Sequence, residues 1–326
     1  MRFRPVRARW VMDRSFISTL RRSRPSLSPG IFIAAAVLFL AGCASPFPRA
    51  TDAPTAPFAD GLDAPTLFAR TLAAHGGDLH AAGGDLNLAF DGQWDRLIQR
   101  IQPVVTDSAY RIRAEERYLP AARLHAVRWQ GPAGTKLVVR TPDTIEIFYN
   151  GVRDSDDTRR RAAAMTADAF QLFHLGPSFL QARGATFTRL ADRTERGVAY
   201  HRLHTTLRPG FGFSPADDVV VWIDPTTHRL FRAHLTLNGF ETTQGAHVDT
   251  TFLAYRSVGP ILVPAELNER VRAPLRINAH RWWITGADRN RGWTAADVTG
   301  PNLERTAAAP AISTAGVAAG GGGAFP

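Results

Sequence analysis

Few residues in this 326-residue chain have types and spacings that could do chemistry. Cys43 is the only cysteine, so no intramolecular disulfide can form even in an oxidising compartment. His201-Arg202-Leu203-His204 has the look of a metal pair, but on a strand, positions three apart face opposite sides. Asp217-Asp218 could meet a calcium ion, yet no loop of alternating oxygen ligands surrounds it, and a solvated turn before a strand is the plainer expectation. Gly210-Phe211-Gly212-Phe213-Ser214 lacks both the lysine and the following helix of a phosphate loop, and it is not a nucleophile elbow. His75 could be catalytic, but a histidine near a helix C-terminus is also favoured by the helix dipole. Trp282-Trp283 reads as a core tryptophan beside a rim neighbour, with a membrane surface or ligand mouth as the alternative. No acid/base or metal cluster converges, so the pattern argues against an enzyme, and nothing calls for a cofactor.

What remains is Cys43 in its context. A stretch carrying eight arginines and one acid precedes the apolar run Ile31 to Leu40, and Ala41-Gly42-Cys43 follows. Basic, apolar and small-residue regions in that order make an export signal. The run is too short for a membrane span of about 20 residues. Leu40-Ala41-Gly42-Cys43 resembles the bacterial lipoprotein signal, which implies cleavage between Gly42 and Cys43 and acylation of the Cys43 thiol. The alternative is an ordinary secretory signal with a chance cysteine. Three acyl chains would anchor the protein permanently, since each buried methylene adds roughly 0.8 kcal/mol. By the sorting rule of enteric bacteria, the same resemblance, with Ala44 and not Asp after the cysteine, implies the outer membrane, facing the periplasm. Met12 is an alternative start to Met1.

Removing residues 1–42 changes the charge. The whole chain has 39 basic and 29 acidic residues; without the leader's eight and one it has 31 and 28, so +10 becomes +3. The basic balance therefore says little about nucleic acid, which needs a basic cluster on a folded face. Lys136 is the lone lysine. Residues 43–63, rich in Pro, Ala, Thr and Asp, read as a disordered tether that stands the domain off the membrane. Residues 293–326, Ala/Gly-rich towards their end, read as a disordered tail.

The folded part is expected over 64–292. Asp63 and Pro65 start a helix with Leu67, Phe68 and Leu72 on one face, and His75-Gly76-Gly77 ends it. From Leu86 to Ile284 the dominant signal is strand. Ala109 to Arg113 alternates, which turns Tyr110 and Ile112 inward and the arginines outward. Tyr149-Asn150-Gly151 is a hairpin signal. One helix interrupts, Asp157 to Leu175, with Met165, Ala169, Leu172 and Phe173 on one face and Gly176-Pro177 as its stop. Short connections rule out parallel crossovers. The expectation is a mainly β (α+β) fold of about 10–11 antiparallel strands in an open, strongly curved half-barrel with two or three covering helices.

Tyr149-Asn150-Gly151, Val221-Trp222-Ile223-Asp224-Pro225-Thr226-Thr227, Tyr255-Arg256-Ser257-Val258-Gly259 and Val263-Pro264 occur in this order. In that order and spacing, over roughly Pro65 to Gly292, the chain resembles the LolA/LolB-like periplasmic lipoprotein carriers. That resemblance implies an unclosed barrel with a helical lid that holds acyl chains in an apolar cavity. Tyr110, Ile112, Leu137, Val139, Ile145, Ile147, Met165, Phe173, Leu235 and Phe252 are the residues expected to line it. The expected partners are the membrane, through Cys43, and a lipid or lipoprotein acyl chain, with no nucleic acid and a monomeric state. The lid helix carrying Met165 and Phe173 would open for exchange. A scaffold or assembly lipoprotein acting through protein contacts is the alternative.

Overall fold

The computed structural model describes residues 45–54, 56 and 58–312; Gly42 and Cys43 lie outside the described residues. The chain forms two antiparallel meanders. The first runs β1 (Leu86–Trp94), β2 (Arg113–Leu119), β3 (Leu124–Gly131), β4 (Gly134–Arg140), β5 (Ile145–Tyr149) and β6 (Val152–Asp154). The second runs β7 (Thr188–Glu195), β8 (Val198–Leu207), β9 (Asp217–Ile223), β10 (Leu230–Thr236), β11 (His247–Val258), β12 (Ile261–Ala273) and β13 (Ile277–Arg289). Antiparallel pairing of β1 with β13 joins them into one sheet of thirteen strands, ordered 6-5-4-3-2-1-13-12-11-10-9-8-7. The strands number more than the ten or eleven expected, in part because Val152–Asp154 adds a three-residue edge.

This order places β6 and β7 at opposite edges, so the chain between them must cross one face of the sheet. It does so as a long helix. Seven helices are used below: α1 (Ala64–Ala74), α2 (Leu79–Ala82), α3 (Arg96–Ile101), α4 (Pro103–Thr106), α5 (Asp157–Leu175), α6 (Pro177–Ala182) and α7 (Ala295–Val298). Helix α5 starts where the Asp156 side chain accepts the Arg159 N–H and stops at Gly176-Pro177. Ala162, Met165, Ala169, Phe170, Leu172 and Phe173 are buried against the sheet. At the centre Phe90, Trp129, Phe170 and Trp282 pack with ring centroids 5.2–5.8 Å apart, mostly edge to face. Trp282 lies flat over β1 at Gly92, where a Cβ would stand 1.7 Å from the indole. Trp283 points the other way and is exposed.

Both ends of the folded domain differ from the sequence expectation. The segment read as a tether is docked: Phe47 packs between His234 and His247, with centroids 4.6 and 5.5 Å away. Asp60 makes two 2.7 Å hydrogen bonds with Arg189. The segment read as a tail continues the fold from Trp293 to Ile312. Val298 of α7 and Leu303 bury against Leu119, Leu124, Ala126, Leu137 and Val139 on the outer face. The chain turns there because the Asp85 carboxylate accepts the N–H groups of Arg291, Gly292 and Trp293. Ala311 then bridges Gly286 in β13. Composition alone hid both, since isolated Phe47, Val298 and Leu303 show no periodicity. Among the described residues, the thirteen-stranded sheet and its core lie between Leu62 and Ala311.

Strand β2 also starts later than expected. Residues 108–112 are a turn, not a strand, and Arg111 is buried while Ile112 is only partly so. The α4 connector explains it: Asp107 takes a left-handed conformation, and Arg111 reaches back to donate to the Val105 carbonyl at 2.8 Å.

His75 closes α1, but as a neutral buried ring rather than a dipole partner. Its Nε2 accepts the Leu230 N–H at 3.0 Å, and its carbonyl accepts from Leu262. Burial pushes its pKa down to about 4. The unfolded chain, with an ordinary imidazole near 6.5, binds the proton first, so this stabilisation is complete above pH 6.5 and drains away as pH falls towards 4. We expect it to amount to about 3 kcal/mol. Denaturant midpoints should fall between pH 7 and pH 4.5 in the parent, and fall less in His75→Gln; parallel curves would refute the assignment.

Candidate functional site

The concave face of the sheet under α5 is two-sided in character. Over β2–β5 it carries polar groups. Glu116 is fully enclosed, with His174 Nδ1 of α5 at 2.8 Å, His125 Nε2 at 3.1 Å and the Tyr118 hydroxyl donating at 2.6 Å. Burial alone would raise the Glu116 carboxyl, but the two imidazoles beside it hold it well below the usual carboxylate range. Asp168 of α5 accepts from Arg140 Nε and Nη2, both at 2.9 Å, and from the Gly212 N–H at 2.8 Å. Lys136 donates to Asp107 at 2.6 Å, and burial brings its pKa down to about 8. Arg111 lies over Trp94, Trp129 and Phe170, 4.5–5.3 Å from each ring centre.

Over β11–β13 the same face is apolar and incompletely filled. There a cavity of about 140 Å³ lies between α5, the α3–α4 connector and the sheet. Its principal walls are Trp94, Ile98, Val105, Phe170, Val248 and Val271, with Met165 and Phe173 contributed by the lid. The polar exceptions include Glu269 and His280, which meet at 3.1 Å, with Thr250 donating to the other Glu269 oxygen at 3.0 Å.

Of the residues expected to line a cavity, Met165 and Phe173 do so. Ile145, Ile147, Leu235 and Phe252 are buried in the same core but do not reach the void. Tyr110 packs edge-on against Tyr149 outside it, at 4.7 Å. Leu137 and Val139 are corrected outright: they lie on the opposite face, under α7. Strand β4 has period two, and its inward residues are Lys136, Val138 and Arg140. The inward set was missed because two of its three members are charged; their partners, Asp107 and Asp168, come from distant segments. The α3–α4 wall was missed too, although Trp94, an Asp95 cap and the Leu97-Ile98-Ile101 spacing were its signal.

The other candidates resolve differently. His201 faces Asp192 and Asp60, at 3.0 and 3.5 Å, while His204 faces Asp218 at 3.3 Å. Among the described residues, no group of three or more His, Cys, Asp or Glu is placed to hold a metal ion. Asp217 is not a solvated turn residue but is buried, accepting from Thr236, Asn238 and the Phe211 N–H. It thereby shapes the Gly210–Ser214 loop, whose Gly212 (φ +63°) presses on the Met165 backbone, where a Cβ would come within 2.8 Å. This loop clamps the middle of the lid.

The class defined by this geometry is an open antiparallel half-barrel with a tied-down helical lid. No protein-family model matches the sequence, and no curated protein matches it. Solved structures similar to it include a LolA superfamily protein from Nitrosomonas europaea, 10% identical over 73% of this chain and 98% of that one, with a TM-score of 0.45. A DUF1329 family protein from Desulfovibrio piger is 10% identical over 71% and 95%, with a TM-score of 0.43. Neither says what this chain binds.

Asp168→Asn should cost about 3–5 kcal/mol, because it leaves the buried Arg140 without its charge partner. Equilibrium unfolding of the variant reads this directly, and a change under 1 kcal/mol would mean that the Asp168–Arg140 pair does not hold the lid.

Proposed function

We propose that this protein is a cell-envelope lipoprotein, held in the outer membrane by an acylated Cys43, that takes an acyl chain or other lipid tail into the cavity beneath α5. The cavity itself carries the reading: it is apolar on nearly all sides, borders a helix that crosses the open sheet, and stays unfilled in an otherwise packed core. Burying about 400 Å² of apolar tail is worth about 10 kcal/mol, at 25 cal/mol per Å². Transfer to a bilayer needs no energy input, since the tail is equally apolar there.

Size constrains the mechanism. A 150 Å³ cavity holds a benzene-sized group, so about 140 Å³ accepts only the end of a long chain without movement. The lid is the less mobile wall, because Asp168–Arg140, Glu116–His174 and Gly212 tie it along its length. Helices α3 and α4, six and four residues long, form the softer wall, closed by two solvent-exposed hydrogen bonds between Gln102 and Thr242 rather than by buried ion pairs. Entry by displacement of α3–α4 therefore replaces the expected opening of the lid.

Native mass spectrometry of residues 44–326, exported without the anchor, tests the proposal: a lipid mass should co-purify, or an added fatty acid should be taken up. Ala169→Phe, which extends a ring into the void, should cut uptake at least tenfold while the fold is retained. A clean apo mass with no uptake would overturn the carrier and favour the scaffold alternative.

A further inference from the structure

The docked N-terminal segment and the cavity mouth share one end of the half-barrel. His247, the first residue of β11, holds Phe47 and donates a ring N–H to the Ser45 backbone carbonyl. Its neighbour Ala246 lines the cavity, together with Leu237 after β10, Thr242 and Thr243, and Pro274-Leu275 between β12 and β13. In the sequence Cys43 precedes Ser45 by two residues, a backbone span of at most about 7 Å.

The rim at that end has an unusual surface. Leu97 and Ile101 are each 44% exposed and Val104 37% exposed, three of the six large apolar side chains exposed among the described residues. Pro103 and Pro274 are exposed beside them. Arg96, Arg100 and Arg276 are exposed on the same elements. Two acids share the rim: Asp95, which caps α3 by accepting the Leu97 N–H, and Glu241. Apolar side chains flanked by arginines match an interface whose hydrocarbon lies just beneath anionic headgroups.

We propose that this rim, formed by α3, α4 and the β12–β13 turn, is a membrane-docking surface that sets the cavity mouth against an anionic bilayer. The purpose of the docking rests on the cavity being a lipid site; the surface itself does not. The short docked leader then fixes the mouth at the height of the bilayer, where a long free tether would let it turn away.

Residues 44–326, which contain every strand and core residue described above, would be sedimented with vesicles of 30% phosphatidylglycerol in phosphatidylcholine and with phosphatidylcholine alone. The parent should bind the anionic vesicles at least tenfold more tightly, and less so at high salt. Leu97→Asp with Val104→Asp should lower that binding at least tenfold, and so should Arg96→Glu with Arg100→Glu. Val152→Asp, on the β6 edge, should not change it. Parent binding that is absent, or that survives both double variants, overturns the proposal. Uptake of a fluorescent fatty acid in solution is read in parallel: its failure with vesicle binding intact would refute the carrier reading alone. An unfolding midpoint in the Leu97/Val104 variant that matches the parent's would show that loss of docking is not loss of folding.

Discussion

The pairing of β1 with β13 is the constraint from which the rest follows. It makes one sheet out of two meanders and pushes their junction, β6 to β7, to the two outer edges. A chain that must travel from one edge of a curved sheet to the other has to cross a face, and a helix is the cheapest way to do so with its backbone groups satisfied. The lid is thus a consequence of strand order. A lid that bridges two edges also has to be registered on what lies beneath it. Apolar packing is non-directional, so the register comes from the buried ion pairs and hydrogen bonds of Asp168 and His174.

These ties divide the interior. Over β2–β5, charged groups from the lid, the floor and the α4–β2 turn meet and leave only minor gaps. Each of them would be expensive if unpaired, so this half tolerates little movement. Over β11–β13 the lid presents Met165, Ala169 and Phe173, and the floor presents Val248 and Val271. Among the described residues, the lid is met there only by the Thr243 hydroxyl, which donates to the Met165 sulfur at 3.5 Å, while two hydrogen bonds between Gln102 and Thr242 close the α3–α4 side. The void lies where the lid's charged ties stop.

Strands, lid helix and the open-barrel class were legible because they rest on local periodicity and turn chemistry. Asn150-Gly151 and Gly176-Pro177 stand at turns the structure shows. What escaped was any feature whose cause is a partner far along the chain. Arg140 looks like an outward residue until Asp168, 28 positions on, supplies its counter-charge. Arg111 looks exposed by alternation, but three aromatic rings and the Val105 carbonyl receive it. Both inverted the reading of which apolar residues face the cavity, and a single such inversion on β4 moved Leu137 and Val139 to the wrong side. The docked termini escaped for the same reason: Phe47 and Leu303 bury singly, against surfaces that the sheet creates only once it has formed.

Under the proposed function, a carrier fixed in a membrane by its own leader faces a geometric problem, because its opening must meet both the donor of the ligand and the bilayer. A flexible leader leaves this to chance, and its entropy opposes any one orientation. Here Phe47 between two histidines, and Asp60 on Arg189, have already removed most of that freedom within the folded domain. Ordering the leader during folding means that orientation at the membrane costs little further entropy. A modest rim of three apolar side chains and three arginines can then suffice, where a freely tethered domain would need a larger one.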